Sequence, residues 1–568
     1  MGAPFLEGAA SVRGKQWDIA PVSSLPTDAA GLPPMVAEIA VRRGVSSVAS
    51  WLKPSFQQFM PDPFVLKGME EAVDLCRKAL RDGKRIVVFG DYDVDGATSS
   101  AVLCRYFRMI GYDNWSFYIP DRMKEGYGPN ADAIRKLREA GHDLLIVADS
   151  GTTAFGPLTV AAEIGFETIV IDHHQAEEML PPGIVVNPKR LDETGEFSYL
   201  CTAGLAFLFI VALNRLLRSE GYFTDTTEPD LSSLLGIVAL GTVADVVPLV
   251  GLNRAYVKLG LSRIPDNPGL RALLAATDVS ELSAKTCGFV LGPCINAAGR
   301  IDNTRLGTEL LLADDQDQAR SVAERLTELN GERREMQDVV VADAMMLAKE
   351  QRESGVLVVY NPAYHPGLIG LAAARLKDAF DRPVVVIGQD GKGSARSVEG
   401  FDIGKAILGA VAAGLLAKGG GHAMAGGLTI EEAKIPAFAE YLSNLIHGLI
   451  RPPLPADLLV SCEALTPGLV DDLQLLAPFG AGNHEPRVIL HGARLIDIFT
   501  IKDKHVKARM RSGEAEVEVI VWNGVGQVIG DALLSAVGRR VDLYGKLGTN
   551  VYRGITRVVI FPEDLALM

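Results

Sequence analysis

Cysteine is scarce in this chain and unpaired. Its six cysteines (Cys76, Cys104, Cys201, Cys287, Cys294 and Cys462) are widely scattered, and no two make a CxxC pair. That argues against a disulfide framework or a zinc ribbon and suits a reducing cytoplasm. Long apolar runs are missing too. The longest, 203–213, is too short to span a bilayer. The first residues carry no basic, apolar, small-residue leader pattern, so a cytoplasmic location without a membrane partner is expected. There is no internal repeat and no low-complexity tract. Positive charge is in short supply: 56 Lys and Arg face 70 Asp and Glu, for a net charge of −14. This counts mildly against a protein that grips polyanions over its whole surface. It leaves room for a local basic path, and a carboxylate-rich metal site would itself contribute to such a balance.

What is present is the composition of a folded protein, 48% hydrophobic and 22% charged. With 568 residues the chain is too long for one core, and three or four domains are expected. Residues 1–45 read as an N-terminal extension that packs on or trails from the body. From 46 to 300 strand and helix patterns alternate. RIVVF (85–89), LLIVA (144–148) and TIVI (168–171) are short continuous apolar runs, as in strands buried on both faces. Helix-like stretches at 69–82, 98–110, 130–140 and 156–164 separate them. Such alternation implies an α/β domain with a parallel sheet covered by helices on both sides. A connector follows over 301–350, with a long helix predicted across 308–350. A smaller α/β domain is expected over 351–452. It holds VLVVY (356–360), a helix from about 368 to 380, PVVVIG (383–388) and the glycine cluster 419–427. RPPLPADL (451–458) reads as a linker. The last domain, 453–568, is strand-dominated. HVKARMRS (505–512) and EVEVIVWN (516–523) alternate with period two about a Ser-Gly turn, predicting a hairpin in a small β-barrel.

Four segments of the first α/β domain concentrate acids and histidines. Gly90-Asp91-Tyr92-Asp93-Val94-Asp95-Gly96 follows the first strand. Its three carboxylates at alternate positions would repel one another unless hard cations joined them. Ala148-Asp149-Ser150-Gly151 and Asp172-His173-His174 follow the next two strands, and Gly241-Thr242-Val243-Ala244-Asp245 closes an apolar segment. Sites in open α/β sheets form outside the carboxyl ends of the strands, where three of the four segments lie. Alone, a DxD loop is usually a cap, a His-His pair usually surface or core, and an Asp in an apolar helix usually structural. Four together, in order, make that bland reading hard to keep. A carboxylate-rich set with an imidazole and no thiolate suits Mn2+ or Mg2+ over structural Zn2+. Two such cations ~3.5–4 Å apart activate water in phosphoester hydrolysis.

GDYDVDG, VADSG, IDHH and GTVADVVPL resemble the four motifs of the DHH phosphoesterase superfamily, and GGGHAMAGG (419–427) resembles the glycine-rich motif of its DHHA1 domain. The resemblance spans roughly 50–450. PDRMKEGYGPN (120–130), INAAGR (295–300), GSARS (393–397) and LAPFGAGNHEP (476–486) extend it to the RecJ-type exonucleases, whose terminal domain is an OB fold. The resemblance implies one cation held by Asp91, Asp93 and Asp149. It implies a second held by Asp95, Asp149, His173 and Asp245, with Asp149 bridging. Many superfamily members carry His at the position of Asp91; RecJ-type members often carry Asp. His174 would orient or touch phosphate. Arg122, Asn296, Arg300, Ser394, Arg396, Gly420, Gly421 and His422 would grip the 5′ end and the nearby backbone. Glycines let backbone N–H groups close on an anion, and guanidinium groups bind phosphate in fork geometry. A glycine-rich turn that merely packs two elements, and ordinary surface arginines, are the bland alternatives.

In the terminal domain Lys507, Arg509 and Arg511 share one strand face, opposite Val506, Ala508 and Met510. Lys502 and Lys504 precede them, and Lys546, Arg553 and Arg557 follow with Tyr544 and Tyr552 interleaved. Such a basic, aromatic face would suit a strand-binding surface, though a basic stripe is also a common solvated face. The activity implied by the resemblance is a single-strand DNA 5′→3′ exonuclease that uses two divalent cations and releases 5′ mononucleotides in repair and recombination. It would act as a monomer beside single-strand-binding protein and a helicase. Two alternatives stay open. One is another DHH phosphodiesterase, of the nanoRNase, cyclic-dinucleotide or polyphosphatase kind, which tends to be shorter and to lack the terminal domain. The other is a non-catalytic DHH scaffold, whose metal motifs would be eroded where these are filled.

Overall fold

The computed structural model describes residues 11–22, 24–121, 124–224, 226–279, 281–301, 303–351, 354–446 and 451–568. They fall into two compact units. One comprises 55–447 with 480–483; the other joins 1–54 to 448–479 and 484–568.

In the first unit β1 (Ile86–Phe89), β2 (Trp115–Tyr118), β3 (Leu144–Ala148), β4 (Glu167–Ile171) and β5 (Ile184–Val186) form a parallel sheet in the order β2-β1-β3-β4-β5. Consecutive strand residues point to opposite faces. Ile86, Val88, Leu144, Ile146 and Ile169 therefore enter one core, and Val87, Phe89, Leu145, Val147 and Val170 enter another. Helices α1 (Met69–Arg81), α2 (Val94–Met109), α5 (Thr202–Ser219) and α6 (Leu235–Ala244) cover the first face. Helices α3 (Ala131–Glu139) and α4 (Phe155–Glu163) cover the second. The three apolar runs are β1, β3 and β4. The edge strands β2 and β5 are short, and β2 is only half-buried, so neither stands out as an apolar run. The strand order reverses between β1 and β3, and a crevice at their carboxyl ends is the usual ligand position of such sheets.

The helix α5 has 18 residues and is apolar enough to cross a membrane by length and composition, longer than the apolar run suggested, but most of it is buried inside the fold. A further helix, α7 (Gly292–Ile301), leads toward the connector. The connector itself is α8 (Gln316–Lys349), 34 residues capped by Asp315, whose side chain accepts from the N–H groups of Asp317 and Gln318. The predicted helix over 308–350 is thus interrupted. Leu306–Leu312 is a separate helix that buries Leu310, Leu311 and Leu312 in the larger core, and the Asp315 cap begins a new one.

The second sheet of this unit runs β9-β10-β8-β7-β6, with β6 (Leu357–Tyr360), β7 (Val384–Ile387), β8 (Lys392–Arg396), β9 (Lys418–His422) and β10 (Ala425–Thr429). Only β6 and β7 pair in parallel. Helices α9 (Pro366–Phe380) and α10 (Ile403–Ala412) pack on it. The glycine cluster is therefore a β-hairpin, β9–β10, which its composition conceals because glycine disfavours strands.

The second unit is a barrel of five strands: β11 (Arg487–Ile501), β12 (His505–Ser512), β13 (Ala515–Val521), β14 (Arg540–Tyr552) and β15 (Ile555–Leu567). They run in the order β11-β12-β13-β15-β14, and β11 pairs back onto β14 to close it. The N-terminal stretch is part of this unit. Val36, Ile39, Ala40, Val48 and Leu52 share a core with Leu490, Leu543 and Leu565. Trp17 is fully buried, its Nε1 donating to Asp564 Oδ2 at 3.0 Å and its ring lying 5.6 Å from that of Tyr544.

Candidate active site

The carboxyl ends of β1, β3 and β4, with the end of α6, bring the acidic motifs together. Donor atoms of Asp91, Asp93 and Asp149 lie within 4.8 Å of one another; so do those of Asp95, His173 and Asp245, and those of Asp149, His173 and His174. His173 Nε2 stands 3.8 Å from Asp95 Oδ2, 3.6 Å from Asp149 Oδ1 and 3.5 Å from Asp245 Oδ2. Asp149 belongs to two of the three groups, and it directly follows β3 with φ +65°, a left-handed conformation that Asp tolerates at a cost. Asp93 caps α2: its Oδ1 accepts from the N–H groups of Asp95 (3.0 Å) and Gly96 (3.1 Å). Asp95 accepts from the N–H of Thr202 at 2.7 Å and of Ala203 at 2.9 Å, at the start of α5. Asp245 follows the last turn of α6, and Val246 beyond it takes φ +60°, a strained choice for a β-branched residue.

Asp172, the first residue of the third motif, belongs to none of these groups. It accepts from the N–H groups of Thr152, His173 and His174 and from His174 Nδ1 at 2.7 Å. Against the penalty of burial, these bonds hold its carboxyl well below the usual range. Burial opposes charge on His174, but Asp172 raises its pKa.

The remaining acids are forced the other way. Burial, with the charge of Asp93, pushes Asp95 up to about 6. Burial, with Asp95 and Asp93, pushes Asp245 up to about 9. Asp149 is raised well above its usual value by burial and by Asp95, Asp93 and Asp91. His173 is pushed down to about 3 by burial, His174 and Lys189, so its imidazole is neutral. Asp245 Oδ2 is buried and accepts no hydrogen bond among the described residues. Crowded, desolvated carboxylates beside a neutral imidazole are a donor set that fits divalent cations with a preference for oxygen.

Residues 85–242 match the DHH family N-terminal domain, 353–448 the DHHA1 domain and 456–564 the RecJ OB domain. The single-stranded-DNA-specific exonuclease RecJ of Salmonella typhimurium is 34% identical over 577 residues, covering 96% of this chain and 97% of that one. The chain belongs to the RecJ family. The RecJ of Thermus thermophilus is 35% identical over 505 residues, covering 88% of this chain and 71% of its own. A crystal structure of RecJ in complex with Mn2+ from Thermus thermophilus superposes with a TM-score of 0.82 at 31% identity, covering 96% of this chain and 78% of that one. A Mg2+ complex from the same organism gives a TM-score of 0.75 at 29% identity, covering 96% and 77%.

Of the residues expected to bind substrate, Ser394, Arg396, Gly420 and His422 lie together on one face of the second sheet, beside α9. Across the strands Gly420, Gly427 and Ser394 are in register, and so are His422, Ala425 and Arg396. The two rows are two residues apart, so Ser394, Arg396, Gly420 and His422 share a face. A side chain at Gly370 of α9 would come within 3.1 Å of Ser394 Oγ and 3.2 Å of Arg396 Nη2, while one at Gly420 or Gly427 would meet nothing within 4 Å. The open glycine floor thus lies beside Ser394. Arg396 Nη1 donates to Ser394 Oγ at 3.1 Å, and Arg300 at the end of α7 donates to the Gly367 carbonyl in the first turn of α9 at 2.8 Å. Gly421 is on the opposite face with Gly419 and Gly426. Side chains at 419 or 426 would press into Ile407 of α10, so there the packing explanation of the glycines holds. Asn296 is half-buried on α7. Arg122 lies outside the described residues.

The basic strand in the RecJ-type OB domain differs from the expectation. Lys507 pairs with Glu518 at 2.9 Å, Arg509 with Asp497 at 2.9 Å, and Arg511 with Glu516. Arg557 also pairs with Glu518, and Lys546 with Glu485 and Glu563. The cause is cross-strand register, which sets Arg509 against Glu518 and Arg511 against Glu516. Tyr544 is not on this face either; it is buried, and its hydroxyl donates to the Pro455 carbonyl at 2.8 Å. Lys502 and Lys504 are exposed in the β11–β12 turn with no ion pair among the described residues.

Three residues near the site were given no role from the sequence, although Tyr127 lies within the RecJ-type segment 120–130. Tyr127 donates its hydroxyl to the Asp149 carbonyl at 3.1 Å and lies edge-on to Tyr92 and His174. Lys189 follows β5, and its charge acts on both His173 and Asp245; the strand-end rule would have found it had IVV been read as a strand. Thr202 starts α5 inside an apolar stretch, and no sequence signal marks it.

Proposed function

We propose that this protein is a 5′→3′ exonuclease specific for single-stranded DNA, hydrolysing phosphodiester bonds to release 5′ mononucleotides. The observation that carries the reading is the convergence of Asp91, Asp93, Asp95, Asp149, His173 and Asp245 on two donor groups joined through Asp149. Asp91, Asp93 and Asp149 would hold one divalent cation, Mn2+ or Mg2+, and Asp95, Asp149, His173 and Asp245 the other. When bound, the cations supply Lewis acidity, lowering the pKa of the attacking water and neutralising charge on the phosphoryl group. The chain's own groups do the positioning. His174, oriented by Asp172, and the Lys189 side chain face the phosphate. Arg300, Ser394, Arg396, Gly420 and His422 hold the 5′ end, and the β9–β10 hairpin leaves room for backbone N–H groups to approach an anion. In the OB domain Lys502 and Lys504, without an ion pair among the described residues, offer a contact to the strand, and the ion-paired face of β12 a weaker one. All six cysteines are free and buried, which suits a reducing cytoplasm. There the protein would act as a monomer, with single-strand-binding protein and a helicase supplying substrate for repair and recombination.

An oligonucleotide labelled at either end, incubated with Mn2+, Mg2+ or chelator, tests this. The expected first product is a mononucleotide from the 5′ end, absent with chelator. Release from the 3′ end, or cleavage confined to dinucleotides, would contradict it.

A further inference from the structure

Thr202 is fully buried at the first position of α5. The capping position belongs to Cys201, one residue earlier, so the Thr202 hydroxyl is not committed to the helix's own N–H groups. Cys201 makes no side-chain cap, and the N–H groups of Thr202 and Ala203 are instead satisfied by the Asp95 carboxylate at 2.7 and 2.9 Å. The Thr202 hydroxyl donates to Asp149 Oδ1 at 2.9 Å. One residue therefore grips a carboxylate of each donor group, by its backbone on one side and its side chain on the other. The next support runs the same way: Cys201 Sγ lies 3.6 Å from Thr242 Oγ1 on α6, the helix that ends at Asp245.

We infer that Thr202 is a positioning residue for the two-cation site, its hydroxyl fixing Asp149 as the bridge between the two donor groups. This rests on the two-cation reading above. A carboxylate turns easily about its last torsion, and a group shared by both donor sets would have to be held in one orientation to serve both. The hydroxyl on Oδ1 removes that freedom, while the backbone bonds to Asp95 hold the other group in register with it. Partners behind metal-binding side chains typically contribute 10–100-fold in affinity or activity.

Thr202→Val separates the two grips, because it deletes the hydroxyl, keeps the shape and leaves both N–H bonds to Asp95. Direct Mn2+ titration of the full chain, read by the Mn2+ electron paramagnetic resonance spectrum, is the measurement. Wild type is expected to bind two ions with the spectrum of a spin-coupled pair. T202V is expected to bind the second ion about 10–100-fold more weakly and to lose the coupling, with the apo melting temperature little changed. Thr202→Ser, which restores a hydroxyl, should recover both. Thr202→Ala serves if valine is not accommodated. Two coupled ions in T202V at wild-type affinity would overturn the inference and leave the site assignment standing. Failure of wild type to bind Mn2+ would sink the site assignment, and the inference with it.

Discussion

At the scale of single residues the site is a set of acids held against their preference. Burial and the neighbouring carboxylates push Asp95 up to about 6 and Asp245 up to about 9, against an ordinary value of 3.8. At these acids the folded state binds more protons than the unfolded one, up to about pH 6 at Asp95 and about pH 9 at Asp245, while His173, pushed down to about 3, works the other way below pH 6.5; above pH 7 the contribution of Asp245 to stability falls as pH rises. Apo protein is expected to melt at progressively lower temperature from pH 7 to pH 9, and Mn2+ to restore more of the loss at the higher pH, with proton release on binding. A melting temperature of apo protein that rises over the same window would show that these acids are not buried together. Lys189 lends itself to a sharper test. If it faces the phosphate, Lys189→Ala should lower kcat/KM by roughly 10–100-fold, about 1.4–2.7 kcal/mol, with Mn2+ affinity unchanged or improved; weaker Mn2+ binding would count against that role. Asp245 follows the apolar helix α6, whereas the acids of the first three motifs were legible from sequence because each follows a short apolar run read as a buried strand. Thr202 was not, since what it contributes to Asp95 is a backbone N–H, which any residue but proline would supply.

At the scale of elements the same residue type plays two parts. Gly420 and Gly427 face open space beside Ser394, whereas Gly419 and Gly426 make room for Ile407 of α10. Gly420→Val is expected to leave the melting temperature nearly unchanged and to weaken binding of a 5′-phosphorylated oligonucleotide. Gly426→Val should destabilise the domain by about 1–3 kcal/mol through overpacking. Equal thermal effects from the two would contradict the assignment of faces. From sequence the cluster could be placed but its faces could not, because only strand register tells odd positions from even ones. The barrel hairpin shows the converse. Its period-two pattern located β12 and β13 correctly, but the chemistry of its basic face depends on which acids lie opposite, again a matter of register.

At the scale of the whole molecule the chain order misleads. Residues near the N-terminus complete the core of the C-terminal unit: Trp17 pairs in parallel with Leu454 and packs on Tyr544. Weak periodicity and scattered prolines gave no hint of that partner, which lies near the other end of the chain. Trp17→Ala is expected to cost about 3–5 kcal/mol and, in calorimetry, to lower the transition of the C-terminal unit. A thermogram identical to wild type would mean that the N-terminal segment is an appendage. The domain kinds, by contrast, were readable from alternation and period alone, because β-α alternation admits few architectures.

The central claim is that two donor groups, joined by Asp149, hold a pair of divalent cations. Anomalous diffraction at the manganese edge from crystals grown with Mn2+ tests it most directly. Two peaks roughly 3.5–4 Å apart are expected, one ringed by Asp91, Asp93 and Asp149, the other by Asp95, Asp149, His173 and Asp245. A single peak, or peaks away from Asp149, would contradict it.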